Sequence, residues 1–215
     1  VNVWLTRLRP DLRHPAARHD LRDAHDLHRR IMMLVPDDLG EHARRETGLL
    51  YRVEHTPSGP QILVQSRVAP DPRRLPAGYA TAETRRLDPL LNQLRTGVVI
   101  RYRIAGNPSK RLAKASPGPG RPGQVVPLRG ADAEQWWIKQ AEKHGLQVAS
   151  LIARPVPDAR GDKNGTRIKH AIVQFDGTAV VTDPDLVRAA VLSGIGRGKA
   201  YGCGLLSLAP LKVDR

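Results

Sequence analysis

The stretch DLRDAHDLHRR, Asp20 to Arg30, sets His25 and His28 three residues apart. On a helix that spacing makes them neighbours on one face. Imidazole titrates near neutral pH, so such a pair suits acid–base chemistry at a reacting oxygen. Arg29 and Arg30 follow at once, and their guanidinium groups would hold a phosphate and stabilise negative charge as it develops. Two histidines at this spacing are also half of a metal site. The remaining histidines are scattered, however, and the single cysteine is far away in sequence, so no third and fourth ligands present themselves. A merely polar helix surface is the competing reading of the same residues.

A second chemistry-bearing segment lies near the end of the chain, GIGRGKAYGCGLLSLAP from Gly194 to Pro210. Five glycines and two basic residues, Arg197 and Lys199, fall within eleven positions, followed directly by an apolar run. Clustered glycine marks backbone that needs unusual dihedrals or a close approach to another molecule. A nucleotide-binding P-loop is excluded: the positions that would need its first Gly and its Ser or Thr are Ser193 and Ala200. The loop also leads from a helix into a strand, the reverse of the P-loop order. Cys203, between Gly202 and Gly204, reads as small apolar packing rather than as a nucleophile.

The charge says what such a loop meets. Lys and Arg total 35 against 21 acids in 215 residues, a net charge of +14, and 27 of the basic residues are Arg. An excess of that size repels itself in a compact chain and calls for a polyanionic partner, with nucleic acid ahead of a membrane surface. Between Asp88 and Asp132 there is no acid but eight basic residues, among them Lys110, Arg111 and Lys114. ARGDKNGTRIKH sets Arg160, Lys163, Arg167 and Lys169 around a Gly- and Asn-rich turn, a basic hairpin tip suited to a nucleic-acid groove. With 4% aromatic residues and one Phe, the chain lacks the stacking platforms of generic single-strand binders. RNA would be read through shape, backbone and paired regions. Acid-poor basic loops also argue against a nuclease that gathers carboxylates around metal ions. No apolar run approaches the roughly 18 residues of a membrane span. VNVWLTRLRP, interrupted by Arg7 and Arg9, does not read as a secretory signal. One cysteine suits a reducing cytoplasm.

These residues need elements to position them. Val3 to Leu8 reads as a strand and Asp20 to Leu34 as a helix, with Leu21, Leu27, Ile31 and Leu34 along one side. Leu49 to Glu54 and Gln61 to Arg67 form a hairpin across HTPSGP, followed by a proline-broken stretch and a weak helix at Pro89 to Leu94. The second half opens with the strand Val98 to Gly106 and the exposed loop SPGPGRPGQ. A helix from Asp132 to His144 follows, then strands at Leu146 to Arg154 and Thr166 to Phe175, the latter extendable to Val181. A helix at Pro184 to Leu192 and a strand at Leu205 to Leu208 complete it. Strand, helix, strand, strand, helix, strand is the ferredoxin-like order. The expectation is an α+β protein of two tandem ferredoxin-like domains, residues 1–95 with the histidine helix and 96–215 with the basic hairpin and glycine loop.

The WLTRL strand, the DxxxLH helix, the RxRIAGNPSK segment and the terminal G-I-G-x-x-K-x-x-G-x-G-L-L-S-L-A-P together resemble the CasE endoribonucleases of type I-E CRISPR systems, in the RAMP superfamily. The resemblance extends over almost the whole chain, and the terminal motif and the NPSK segment are its most specific parts. It implies a metal-independent endoribonuclease without cofactor that cuts CRISPR precursor RNA at the base of the repeat hairpin. The ribose 2′-hydroxyl attacks the adjacent phosphate, leaving a 2′,3′-cyclic phosphate and a 5′-hydroxyl. Members keep the mature crRNA and join the other subunits of Cascade. The family's catalytic histidine falls on His28, as acid or as base. Where members carry Tyr three residues earlier, this chain has His25, either a partner in proton transfer or a group that orients substrate. Asn107, Ser109 and Lys110 fall on the RNA-binding NPxK loop, and Arg160 to Lys169 on the element that contacts the RNA stem. A noncatalytic subunit that holds the RNA hairpin on the same fold is the alternative function.

Overall fold

The computed structural model describes residues 2–36, 43–113, 121–163 and 165–211. The first half contains β1 (Trp4–Pro10), α1 (Pro15–Asp20), α2 (Ala24–Met32), α3 (Ala43–Glu46), β2 (Leu50–Thr56), β3 (Gly59–Ser66), β4 (Ala80–Arg86) and α4 (Asp88–Asn92). The second contains β5 (Val99–Gly106), β6 (Ser109–Arg111), β7 (Val125–Pro127), α5 (Ala131–Lys143), β8 (Leu146–Lys163), β9 (Thr166–Val181), α6 (Pro184–Ser193) and β10 (Leu206–Pro210), with a 3₁₀ turn at Lys199–Tyr201.

Two four-stranded antiparallel sheets result, ordered β2-β3-β1-β4 and β10-β5-β9-β8. Counting only each sheet's own four strands in chain order, and reading the second sheet from β8, both orders are 2-3-1-4, so the molecule is two tandem ferredoxin-like domains, as expected. A third, two-stranded sheet pairs β6 with β7 and brings Lys110 opposite Val126. Each large sheet buries one face under its own helices. Leu8, Leu27, Ile31, Tyr51, Ile62, Val64 and Tyr79 belong to the first core. Ile104, Trp137, Ala141, Phe175, Val187 and Val191 belong to the second. In α5, Ala133, Trp137 and Ala141 are buried at intervals of four, the period that turns one helical face to a sheet.

Besides the short elements α1, α3, β6 and β7, which the sequence reading does not contain, three elements differ from it. The helix expected from Asp20 is two helices, because Asp23 is extended and caps α2, its carboxylate accepting from the backbone N–H groups of His25 and Asp26. β4, ATAETRR, pairs with β1 from Trp4↔Arg86 to Pro10↔Ala80 and closes the first sheet. Its pattern is polar and exposed along nearly its whole length, so it carries no apolar alternation to read. β8 and β9 form one hairpin paired from Leu146↔Val181 to Lys163↔Thr166; β9 has the extended span expected, whereas β8 runs on well past Arg154, its expected end. Register shifts between Val148 and Ser150 and between Val156 and Ala159 bend it.

The two halves meet through apolar contacts, with Val3, Leu91 and Leu94 joining the second core, and through polar side chains. Gln65 Nε2 on the first sheet donates to Val191 O of α6 over 2.7 Å. Arg52, whose side chain is 2% exposed, donates to Leu205 O at 3.0 Å and Ser207 Oγ at 2.9 Å while pairing with Glu54 of its own strand. Among the described residues no helix is long and apolar enough to cross a membrane.

Candidate active site and nucleic-acid interface

Asp23 organises one side of the site. Its carboxylate caps α2 and also accepts from the backbone N–H of Asp162, at the tip of the β8–β9 hairpin, over 3.1 Å. A Cβ at Gly161 would stand 2.6 Å from Asp23 Oδ1, so only glycine lets the hairpin tip lie this close to the helix N-terminus. Burial alone would raise the Asp23 pKa, but the N–H groups of Asp26, Asp162 and His25 outweigh it and hold it below the ordinary carboxylate value. The charged cap thus fixes the basic tip against the helix that carries both histidines.

On that helix His25 and His28 are both half-buried. The His28 ring is stacked on Tyr51 of β2, centroids 6.4 Å apart and planes 20° from parallel. Tyr51 is buried, and its hydroxyl donates to Ala200 O of the 3₁₀ turn over 3.0 Å. Burial pushes the Tyr51 phenol well above its ordinary pKa, so it stays a neutral donor. One tyrosine thereby joins the histidine helix of the first domain to the glycine loop of the second. Beside it a cleft of about 110 Å³ is lined by Leu27, Tyr51, His55, Asp158, Arg160 and Tyr201. Tyr201 stacks on His170 of β9 with centroids 5.0 Å apart. Burial, then the nearby Arg197, lower the His170 pKa, so this third imidazole is biased toward its neutral form.

The glycine loop has the backbone its composition implies. Gly194, Gly196, Gly198, Gly202 and Gly204 all have φ between 71° and 89°. At Gly204 a Cβ would meet Ile195 O at 2.9 Å, so the two ends of the loop close on each other there. The Ile195 N–H donates to Gly204 O, and the Gly204 N–H to Ala105 O, locking the loop to β5. Trp136 of α5 supports both neighbours, since its ring lies 3.0 Å from where a Gly106 Cβ would stand and 3.2 Å from one at Gly196. Cys203 is fully buried beneath the loop, and burial pushes its thiol up to about 12. Native protein treated with iodoacetamide at pH 8 should therefore remain unlabelled for hours, while urea-unfolded protein labels at once. Rapid native labelling would mean that the loop opens.

The basic residues singled out from sequence fall into distinct settings. Arg160, Arg167 and Lys169 are exposed on the hairpin, with Arg160 and Lys169 both 3.8 Å from Asp158. Lys163 is paired with Thr166 by its backbone, and its side chain lies outside the described residues, as does all of Lys114. Lys110 and Arg111 are exposed on β6, where Ser109 is half-buried. Asn107 is 8% exposed and donates to Ala171 O over 2.7 Å, tying the NPSK segment to β9. Arg197 is exposed, whereas Lys199 donates to Ser193 O over 2.8 Å. Arg29 is exposed and within 3.5 Å of Asp26. Arg30 turns the other way, donating to Asp20 over 2.7 Å and lying over the Tyr79 ring. Among the described residues no three His, Cys, Asp or Glu are grouped as metal ligands.

Sequence reading missed Tyr51, Tyr201, His170 and the second role of Asp23. The first three lie on strands or in the glycine loop, separated from the histidines by tens of residues, and no local spacing ties them to that helix.

Comparison with known proteins fits this geometry. A family model described as "CRISPR associated protein" matches residues 3–210. The CRISPR-associated endoribonuclease Cse3 of Thermus thermophilus is 32% identical over 225 residues, covering 97% of this chain and 100% of that protein. The structure of Thermus thermophilus Cse3 bound to an RNA representing a pre-cleavage complex matches with a TM-score of 0.82 at 30% identity, over 98% of this chain and 100% of that one. A chain of a CRISPR RNA-guided surveillance complex in a pre-nicking state is 42% identical with a TM-score of 0.72, over 97% of this chain and 100% of that one. The motifs at both ends of the molecule and the match from one end to the other agree, and the chain belongs to the CRISPR-associated protein family.

Proposed function

We propose that this protein is a metal-independent endoribonuclease of CRISPR RNA maturation. It cuts precursor RNA at the base of the repeat hairpin and stays on the mature crRNA as a Cascade subunit in the cytoplasm. The observation that carries this reading is the assembly around His28: a half-buried imidazole stacked on a neutral tyrosine, between a glycine loop and a basic hairpin. In the reaction the 2′-oxygen bonds to the adjacent phosphorus, the bond from phosphorus to the 5′-oxygen breaks, and the 2′-hydroxyl proton leaves to a base. The departing 5′-oxygen takes up a proton from an acid. His28 serves one of these transfers, and His25, one turn earlier beside the docked hairpin, shares them or orients the substrate. Arg29 offers charge to the phosphate, while Arg30, tied to Asp20, holds α2 in place.

Stem binding falls to Arg160, Lys163, Arg167 and Lys169 on the hairpin, with Ser109, Lys110, Arg111, Lys114, Arg197 and Lys199 adding phosphate contacts and Asn107 setting their loop. Residues 1–95 supply the chemistry and 96–215 most of the grip. The test is cleavage of a 5′-labelled cognate repeat hairpin in excess EDTA. Cutting at one position, with a product end that resists phosphatase until acid opens the cyclic phosphate, is the expected result. Tight binding without cutting would make the protein a hairpin-holding subunit, and cutting only after Mg²⁺ is restored would overturn the mechanism.

A further inference from the structure

A second cluster of positive charge lies where the two domains meet, among residues to which neither the sequence motifs nor the site around His28 give a joint role. Arg44 and Arg45 of α3, Arg67 just after β3, and Lys199 of the 3₁₀ turn surround a cavity of about 290 Å³. Leu50 and Ser193 complete much of its wall, and among the described residues no carboxylate lines it. The contacts of these cations are with neutral oxygens. Arg67 Nη2 donates to Arg45 O and Glu46 O at 2.6 and 3.0 Å, and Lys199 Nζ donates to Ser193 O at 2.8 Å. Among the described residues none of the four has an ion-pair partner. Burial lowers the pKa of Arg44 and of Lys199, and the neighbouring cations, Arg45 for the first and Arg44 for the second, lower them further.

Converging cations that lack acids are held together against mutual repulsion, and an anion between them relieves it. Three arginines with forked donors and one lysine fit the oxygens of a phosphate. Position says which phosphate. Leu50 immediately precedes Tyr51, the residue under the His28 ring, and Lys199 immediately precedes Ala200, whose carbonyl holds the Tyr51 hydroxyl. Consecutive side chains of a strand point to opposite faces, so the pocket lies across edge strand β2 from the His28 ring, and an RNA strand leaving the reaction site round that edge meets it. The pocket draws walls from both domains, so a ligand there also clamps them together.

We propose that Arg44, Arg45, Arg67 and Lys199 form a phosphodiester-binding subsite for the single-stranded RNA that runs on from the scissile phosphate, outside the hairpin stem. This rests on the reading of the protein as a repeat-hairpin endoribonuclease. Contacts to that strand are present with precursor and lost once the cut strand departs, so the subsite favours precursor over product.

The test uses two RNAs made uncleavable by a 2′-deoxy nucleotide at the cleavage position, one ending at the base of the stem and one extended by four single-stranded nucleotides beyond it. Arg67 and Lys199 are left intact, because both also bond the backbone, and the variant is Arg44→Gln/Arg45→Gln. Wild type should bind the extended RNA about tenfold more tightly than the stem alone, and the variant should lose that increment. Its salt slope on the extended RNA should fall by about 1, since fewer counterions are released. Unchanged affinity for the stem shows that the variant is folded. Equal binding of the two RNAs by wild type, or equal weakening of both in the variant, overturns the subsite while leaving the endoribonuclease reading intact. If wild type binds neither RNA, that reading fails and the subsite with it.

Discussion

His28→Ala should cut a cognate repeat hairpin some 10²- to 10⁴-fold more slowly than wild type, the usual range for a positioned acid or base. Single-turnover rates with enzyme in excess separate this effect from product release, and affinity for an uncleavable hairpin should change by less than about threefold. The ring is positioned rather than merely present. It stacks on Tyr51, which is buried and fixed by its bond to Ala200 O. Losing one placed proton transfer raises the barrier without removing the phosphate contacts proposed for the hairpin and loops. Tyr51→Leu should consequently slow the same step more modestly, as the platform under His28 loosens. His25→Ala should fall between wild type and His28→Ala. Undiminished cleavage by His28→Ala would remove the proposed chemistry altogether.

Arg52→Ala should destabilise the protein by about 3–5 kcal/mol, the range for stripping one partner from a buried, hydrogen-bonded charge pair. Arg52 Nε and Nη2 both donate to Glu54 Oε1, at 3.0 and 2.7 Å, while Nη1 donates to Arg103 O and Leu205 O and Nη2 also to Ser207 Oγ across the domain junction. Burial lowers the Arg52 pKa, and Glu54 only partly restores it, so this charge is held at a desolvation cost. Without Arg52, Glu54 keeps a longer contact to Arg103 at 3.4 Å, and Arg103 is already engaged with Asp176. Urea unfolding monitored by tryptophan fluorescence measures the loss. Arg52→Met/Glu54→Gln, which removes both charges, should be less destabilised than Arg52→Ala. A single alanine variant as stable as wild type would mean that the junction does not depend on this pin.

Much of the molecule is written locally. The apolar intervals of α5 and α6, the alternation of β5 and the glycine run at 194–204 depend on neighbours in sequence, so period and backbone freedom suffice to read them. The paired histidines and the basic, acid-poor loops likewise point to the proposed acid–base site and a polyanion, and the terminal motif reveals the family. β4 escapes because its ladder bonds are backbone bonds and its side chains face water. The break before α2 depends on the Asp23 side chain capping the helix, and the Asp162 N–H that secures that carboxylate comes from 139 residues away.

What the sequence determined by itself is therefore the class of most elements, the charge and the candidate reagents. The tertiary structure decided which of them act together: Tyr51 under His28, the hairpin tip on the Asp23 cap, and Arg44, Arg45 and Arg67 facing Lys199. The physical reason is chain closure. Those contacts join segments as much as about 150 residues apart, as in the Tyr51 bond to Ala200. Their free energy comes from burial of two whole cores rather than from any local preference.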